Sequence, residues 1–109
     1  MRREREIDTY PVVTLCGSMR FYRDMLAIAS RLTKRGYIVL APFVKAETQG
    51  LKEMLDDMHF RKIDISGAIY VVNIGGYVGT STQREIDYAR EQGKNIMYHE
   101  SEQESEQVK

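Results

Sequence analysis

The sequence predicts an α/β domain: a flavodoxin-like or Rossmann-like three-layer sandwich with a short parallel sheet of about four strands, order 2-1-3-4, flanked by helices. Three observations lead there. Four short β-type runs alternate with three helical patterns along 109 residues. Such alternation requires right-handed crossovers and therefore parallel strands. The third run, Ala68-Ile69-Tyr70-Val71-Val72-Asn73-Ile74, is almost continuously apolar, as expected of a strand covered on both faces.

The elements follow in order. Pro11-Val12-Val13-Thr14-Leu15-Cys16 has strong β character and stops at Gly17-Ser18. Met25, Ile28, Ala29 and Leu32 fall at i, i+3, i+4 and i+7, one apolar stripe of a first helix, and Lys34-Arg35-Gly36 suits its end. Tyr37-Ile38-Val39-Leu40 is the second strand, closed by Ala41-Pro42. Residues 43–50 have no clear period and read as a loop able to cover a site. Leu51, Met54, Leu55 and Met58 have helical spacing, in a second helix extending to about Ile63. After the third strand come the glycine-rich turn Gly75-Gly76-Tyr77-Val78-Gly79, a helix over 80–92 burying Ile86 and Ala89, and a last strand, Asn95-Ile96-Met97-Tyr98.

Sixteen Lys and Arg against sixteen Asp and Glu cancel, which argues against a general nucleic-acid coat protein but permits binding of a single phosphate. The cancellation is uneven. Residues 9–98 hold twelve bases and nine acids, whereas 99–109 hold Glu100, Glu102, Glu104 and Glu106 against Lys109 alone. The expected organisation is one domain over 9–98, a charged arm over 1–8 and a flexible acidic tail over 99–109. No apolar run approaches the roughly 20 residues that cross a bilayer, the arm has no signal-peptide core, and the single cysteine suits a cytoplasmic chain.

Function is expected at the carboxyl ends of the first and third strands, where the chain changes direction across the sheet. Gly17-Ser18-Met19-Arg20 there can offer backbone N–H groups, a hydroxyl and a cation to an anion. Equally, Ser18 can be a helix cap with Arg20 in solvent. The turn has the spacing of neither a Walker loop nor a dinucleotide fingerprint. In the second loop Gly75, Gly76 and Gly79 permit positive φ and close approach to a ligand, and Thr80, Ser81 and Thr82 follow. Glu85 falls in the expected first turn of the next helix, where the dipole would keep it ionised and able to act as a nucleophile. Thr82-Gln83-Arg84-Glu85 also reads as a capping box. His59 and Asp64 approach the same rim, with surface exposure or pairing of Asp64 with Arg61 or Lys62 as the other reading. Cys16 reads as a small core residue, and no His, Asp and Glu spacing resembles a zinc site, so neither metal nor cofactor is expected.

Taken together, Leu15-Cys16-Gly17-Ser18-Met19-Arg20, His59 to Asp64, and the stretch from Gly75 to Ala89 resemble the nucleoside 2-deoxyribosyltransferase-like superfamily over about residues 11–98. The Gly-Ser-x-Arg turn is most similar to the branch of 2'-deoxynucleoside 5'-phosphate N-hydrolases. The resemblance implies cleavage of an N-glycosidic bond by hydrolysis or base transfer, with Glu85 as nucleophile. It implies that Gly17, Ser18, Arg20, Gly76, Gly79 and Ser81 bind substrate, and that His59 or Asp64 fills the family's acidic position. Thr14 stands where relatives commonly have Tyr, and Gly67-Ala68 replaces their Ala-Asp. The implied partners are a small nucleotide or nucleoside and further copies of the chain, as homodimer or larger homo-oligomer, with neither nucleic-acid polymer nor membrane. The alternative is a noncatalytic nucleotide-binding or sensing module of the same fold.

Overall fold

Strand alternation and helical stripes place most elements where the sequence predicts them in the computed structural model, which describes residues 10–101. The order is β1 (Val12–Cys16), α1 (Tyr22–Lys34), β2 (Ile38–Leu40), α2 (Gln49–Asp64), β3 (Ala68–Val71), α3 (Thr80–Glu91) and β4 (Asn95–Tyr98), with single 3-10 turns at Met19–Phe21 and Ile74–Gly76. All four strands are parallel, in the order β2-β1-β3-β4. Among the described residues no helix is long and apolar enough to cross a membrane.

Side chains alternate across a strand, so the sheet divides the core in two. Val13 and Leu15 of β1 and Tyr70 of β3 join Val72 in packing on one face with Met25, Ile28 and Leu32, the stripe expected of α1. Cys16 of β1 and Ile69 and Val71 of β3 face the other way, onto Ile63 of α2 and Ile86 and Ala89 of α3. Burying an aliphatic side chain of this size contributes roughly 1.5–3 kcal/mol, so α1 is held by its stripe rather than by intrinsic propensity. This alternation aims Cys16 at the α2 and α3 side, where the candidate site lies.

The differences from expectation have local causes. Helix α2 begins at Gln49 because Thr48 Oγ1 accepts the Leu51 N–H at 3.2 Å, which shortens the preceding loop. The helix buries His59 and Ile63, while Met54 and Met58 of the expected apolar stripe are about half exposed. Its C-terminal half is fastened to β1 instead. Thr14, fully buried, places Oγ1 2.7 Å from Ser66 Oγ and donates to the Lys62 carbonyl at 3.2 Å. Strand β3 ends at Val71, short of Ile74, because the chain turns through Gly75 and Gly76 at φ 66° and 83°, values open to glycine but strained for other residues.

The acidic tail was expected to begin at residue 99, but its first residues belong to the fold. The His99 N–H donates to the Val71 carbonyl at 2.8 Å. Asn73 exchanges two hydrogen bonds with the Glu100 backbone, and the Glu100 carboxylate accepts the Gly75 N–H at 2.8 Å. A free N–H in the glycine turn is thus answered by a tail acid. The remainder of that tail and the arm over 1–8 lie outside the described residues.

Candidate functional site

A cavity of about 640 Å³ opens at the carboxyl ends of the strands, lined by the turns after β1, β2 and β3 and by one face of α2. The expected rim is therefore concave. Gly17 starts it, in a tight spot: a Cβ there would lie 3.0 Å from the Val72 carbonyl oxygen and 3.1 Å from Val72 Cβ, so any larger residue needs its neighbours to give by a few tenths of an ångström. Ser18 caps the following 3-10 turn, its Oγ accepting the Arg20 N–H at 3.2 Å. Both Gly17 and Ser18 line the cavity; Arg20 does not, but its guanidinium lies 4.3 Å from the centroid of the Tyr77 ring, which does.

The second loop corrects three expectations. Gly79 has extended backbone (φ −79°), not positive φ, and it lets Tyr77 fold back, since a Cβ on Gly79 would lie 3.1 Å from the Tyr77 hydroxyl. Gly79 rather than Thr82 is the cap of α3, and it supplies no side-chain cap bond. The capping box is therefore absent, and Glu85 lies beyond the first turn of α3. The uncapped helix start, Gly79, Thr80 and Ser81, lines the cavity, with Ser81 Oγ accepting from Arg84 at 3.4 Å. Gly76 is exposed in the turn and stands off the cavity wall.

Glu85 reaches the cavity from α3 and is 15% exposed. Burial pushes its carboxyl from 4.5 up to about 7, with Asp56 adding to the rise and the Cys16 hydrogen bond, Arg84 and Lys52 opposing it. The dipole does not keep this carboxylate ionised; desolvation governs it. His59 Nε2 lies 3.5 Å from Glu85 Oε1. Burial and then Lys62 lower His59 from 6.5 to about 4, with Asp56 opposing, so the imidazole is neutral near pH 7 and the contact is no ion pair. Cys16 Sγ completes the group at 3.4 Å from His59 Nε2, its thiol held well above the usual range by burial and by Glu85.

His59 and Asp64 are thereby distinguished. His59 lines the cavity; Asp64 does not, and its carboxylate is bound to the Tyr88 hydroxyl and, at 2.8 Å, to Arg61. Asp64 is thus removed from the cavity by the pairing that was its other reading. Three cavity residues escaped the sequence reading: Lys52, Asp56 and Lys62. With His59 they fall at i, i+4, i+7 and i+10, one helical face, and that spacing was the available signal. Lys52 pairs with Asp56 at 2.8 Å, and Lys62 Nζ donates to the Ala41 carbonyl at 2.8 Å. Phe43 and Val44, both more than half exposed, add apolar surface from the loop after β2.

A buried carboxylate beside a neutral imidazole, in a cavity that also holds an uncapped helix start and an apolar wall, can take a ligand with an anionic end, a polar middle and a flat apolar end. No family model and no curated protein matches the chain.

Proposed function

We propose that the protein cleaves the N-glycosidic bond of a (deoxy)nucleoside 5'-monophosphate through Glu85, as a member of the nucleoside 2-deoxyribosyltransferase-like superfamily. The observation that carries this reading is one cavity walled by the anion-type turns Gly17-Ser18 and Gly79-Ser81, by Phe43 and Val44, and by the largely buried Glu85 carboxylate. In the proposed reaction the 5'-phosphate takes the N–H groups of the two turns, with Arg20 as nearby cation, and the base lies against the apolar wall. A Glu85 oxygen attacks C1' as the C1'–N bond breaks and the electron pair leaves with the base, passing through an oxocarbenium-like transition state. Water, or a second base, then releases the sugar from Glu85.

Neutral His59 is poorly suited to protonate the leaving base; it is suited to hold Glu85 or a sugar hydroxyl by hydrogen bonding. Binding energy at the phosphate would position C1' against the carboxylate, a use of remote contacts to lower the barrier. A second copy of the chain covering Phe43, Val44, Met54 and Met58 would complete the apolar wall, and sedimentation tests that assembly.

The test is incubation with a panel of ribo- and deoxyribonucleoside monophosphates, following free base by chromatography, with Glu85→Gln alongside. Release by the parent and none by the variant is the expected result. Equal release by both would refute Glu85 as nucleophile. No release from any nucleotide, with binding retained, would favour the noncatalytic sensor.

A further inference from the structure

The proposed reaction leaves one buried reactive group without a part: Cys16, fully buried at the end of β1, with its sulfur against His59 and Glu85. The three side chains come from β1, α2 and α3, separated by 43 and 26 positions, so no sequence motif joins them. Their donor atoms nonetheless lie within 4.8 Å of one another.

We infer that Cys16 Sγ, His59 Nε2 and a Glu85 carboxylate oxygen form a three-ligand site for a zinc-type divalent ion, with its fourth position open to the cavity. The argument is geometric. Zn–S of ~2.3 Å and Zn–N and Zn–O of ~2.0 Å at tetrahedral angles require ligand separations of ~3.6 Å for S to N and ~3.3 Å for N to O. The observed separations are 3.4 Å from Cys16 Sγ to His59 Nε2 and 3.5 Å from His59 Nε2 to Glu85 Oε1. These two separations need shifts of a few tenths of an ångström; the third, Cys16 Sγ to the Glu85 oxygen, lies within 4.8 Å, so seating an ion draws those two atoms together by at most about 1.2 Å. One sulfur, one imidazole nitrogen and one carboxylate oxygen suit zinc or cobalt and are a poor set for magnesium or calcium. His59 and Glu85 both line the cavity, which supplies the path of approach and room for a bound water.

Binding breaks the Cys16 S–H bond: the proton leaves to water, the sulfur electron pair goes to the ion, and no oxidant or reductant is needed. The site does not depend on nucleotide cleavage. If Glu85 is the nucleophile, an ion on its carboxylate and attack at C1' exclude one another.

The test is titration of the chelator-treated full chain with Co(II), read by its visible and near-ultraviolet spectrum, followed by displacement with Zn(II). The expected result is one equivalent bound with the intense visible bands of four-coordinate cobalt, a thiolate-to-cobalt charge-transfer band, proton release, and loss of both bands on adding zinc. Cys16→Ser should abolish the charge-transfer band, and Glu85→Gln, which preserves shape, should weaken binding about 100-fold or more. His99→Asn, removing the other histidine, should change neither. Weak octahedral-type spectra from the parent, or unaltered spectra and affinity in both Cys16→Ser and Glu85→Gln, would overturn the site. Should Cys16→Ser not fold, the Glu85→Gln affinity decides alone. These readings are independent of base release, so failure of the metal site and failure of the glycosidase reading are separately visible.

Discussion

Replacing Glu85 by Gln should change how stability depends on pH, and the size follows from burial at the site. In the folded chain Glu85 is raised from 4.5 to about 7, so its neutral form is favoured. The stability this confers is complete below about pH 4.5 and is lost as pH rises to about 7. His59 is lowered from 6.5 to about 4, so its contribution is complete above about pH 6.5 and is lost as pH falls to about 4. Each shift corresponds to about 3 kcal/mol. The two nearly cancel in the parent between about pH 4.5 and 6.5. Both respond to burial and to Asp56, but neither is among the causes of the other's shift, so single substitutions can address each in turn. The assay is urea unfolding of metal-free parent, Glu85→Gln and His59→Gln from pH 4 to 7.5. Subtracting the variant from the parent removes the other titrating groups. The parent minus Glu85→Gln difference should fall by about 3 kcal/mol between pH 4.5 and 7, and the parent minus His59→Gln difference should rise by about 3 kcal/mol between pH 4 and 6.5. Parallel profiles for all three proteins would refute the claim that burial governs these two groups.

Three further outcomes are expected. Base release should rise about tenfold per pH unit up to about pH 7 and level off above it, since attack needs the ionised carboxylate; a rate that instead falls through pH 7 would make Glu85 an acid. Arg20→Ala should weaken a nucleoside monophosphate by about 10- to 150-fold and its nucleoside hardly at all, because a charge-assisted phosphate contact is worth about 1.5–3 kcal/mol; equal losses in a calorimetric titration would remove Arg20 from phosphate recognition. Gly17→Ala should cost about 1–3 kcal/mol in denaturant unfolding, because its Cβ meets the Val72 backbone oxygen at 3.0 Å, and an unchanged midpoint would show that the turn after β1 yields the few tenths of an ångström the methyl needs.

What could be read from the sequence was what periodicity encodes. The β1 alternation sends Val13 and Leu15 to one face and Cys16 to the other, and the α1 stripe is buried as its spacing requires. Periodicity failed on α2, where four apolar residues suggested the buried face. The buried residues there are His59 and Ile63, because Thr14 and Ser66 fasten the helix by its C-terminal end and its first half borders the cavity. The start of α3 at Thr80 was read correctly, but its cap was misread, for a different reason. Three consecutive hydroxyl residues each offer a plausible cap, and the choice fell to Gly79 beside the folded-back Tyr77. Asp64 and His59 could not be separated by counting along the chain, since what separates them is a tertiary partner, Tyr88.

The convergence of Cys16, His59 and Glu85 belongs to a level that no single segment specifies. Strand alternation aims the first, helical phase the second and the third, and only the packing of α2 and α3 on the same side of the sheet brings them together. The consequence is energetic as well as geometric. Above pH 7 the fold must hold an ionised carboxylate in surroundings that favour its neutral form by about 3 kcal/mol, a large share of the 5–15 kcal/mol by which domains are stable. A capping or surface role for Glu85 would not require that cost, because an exposed carboxylate would serve. A group that must shed water before meeting a ligand or an ion does require it. Glu85→Gln should therefore leave the chain more stable than the parent at pH 7 and less able to act on or bind what enters the cavity. That opposition of stability and function distinguishes a working site from a buried residue that merely fills space.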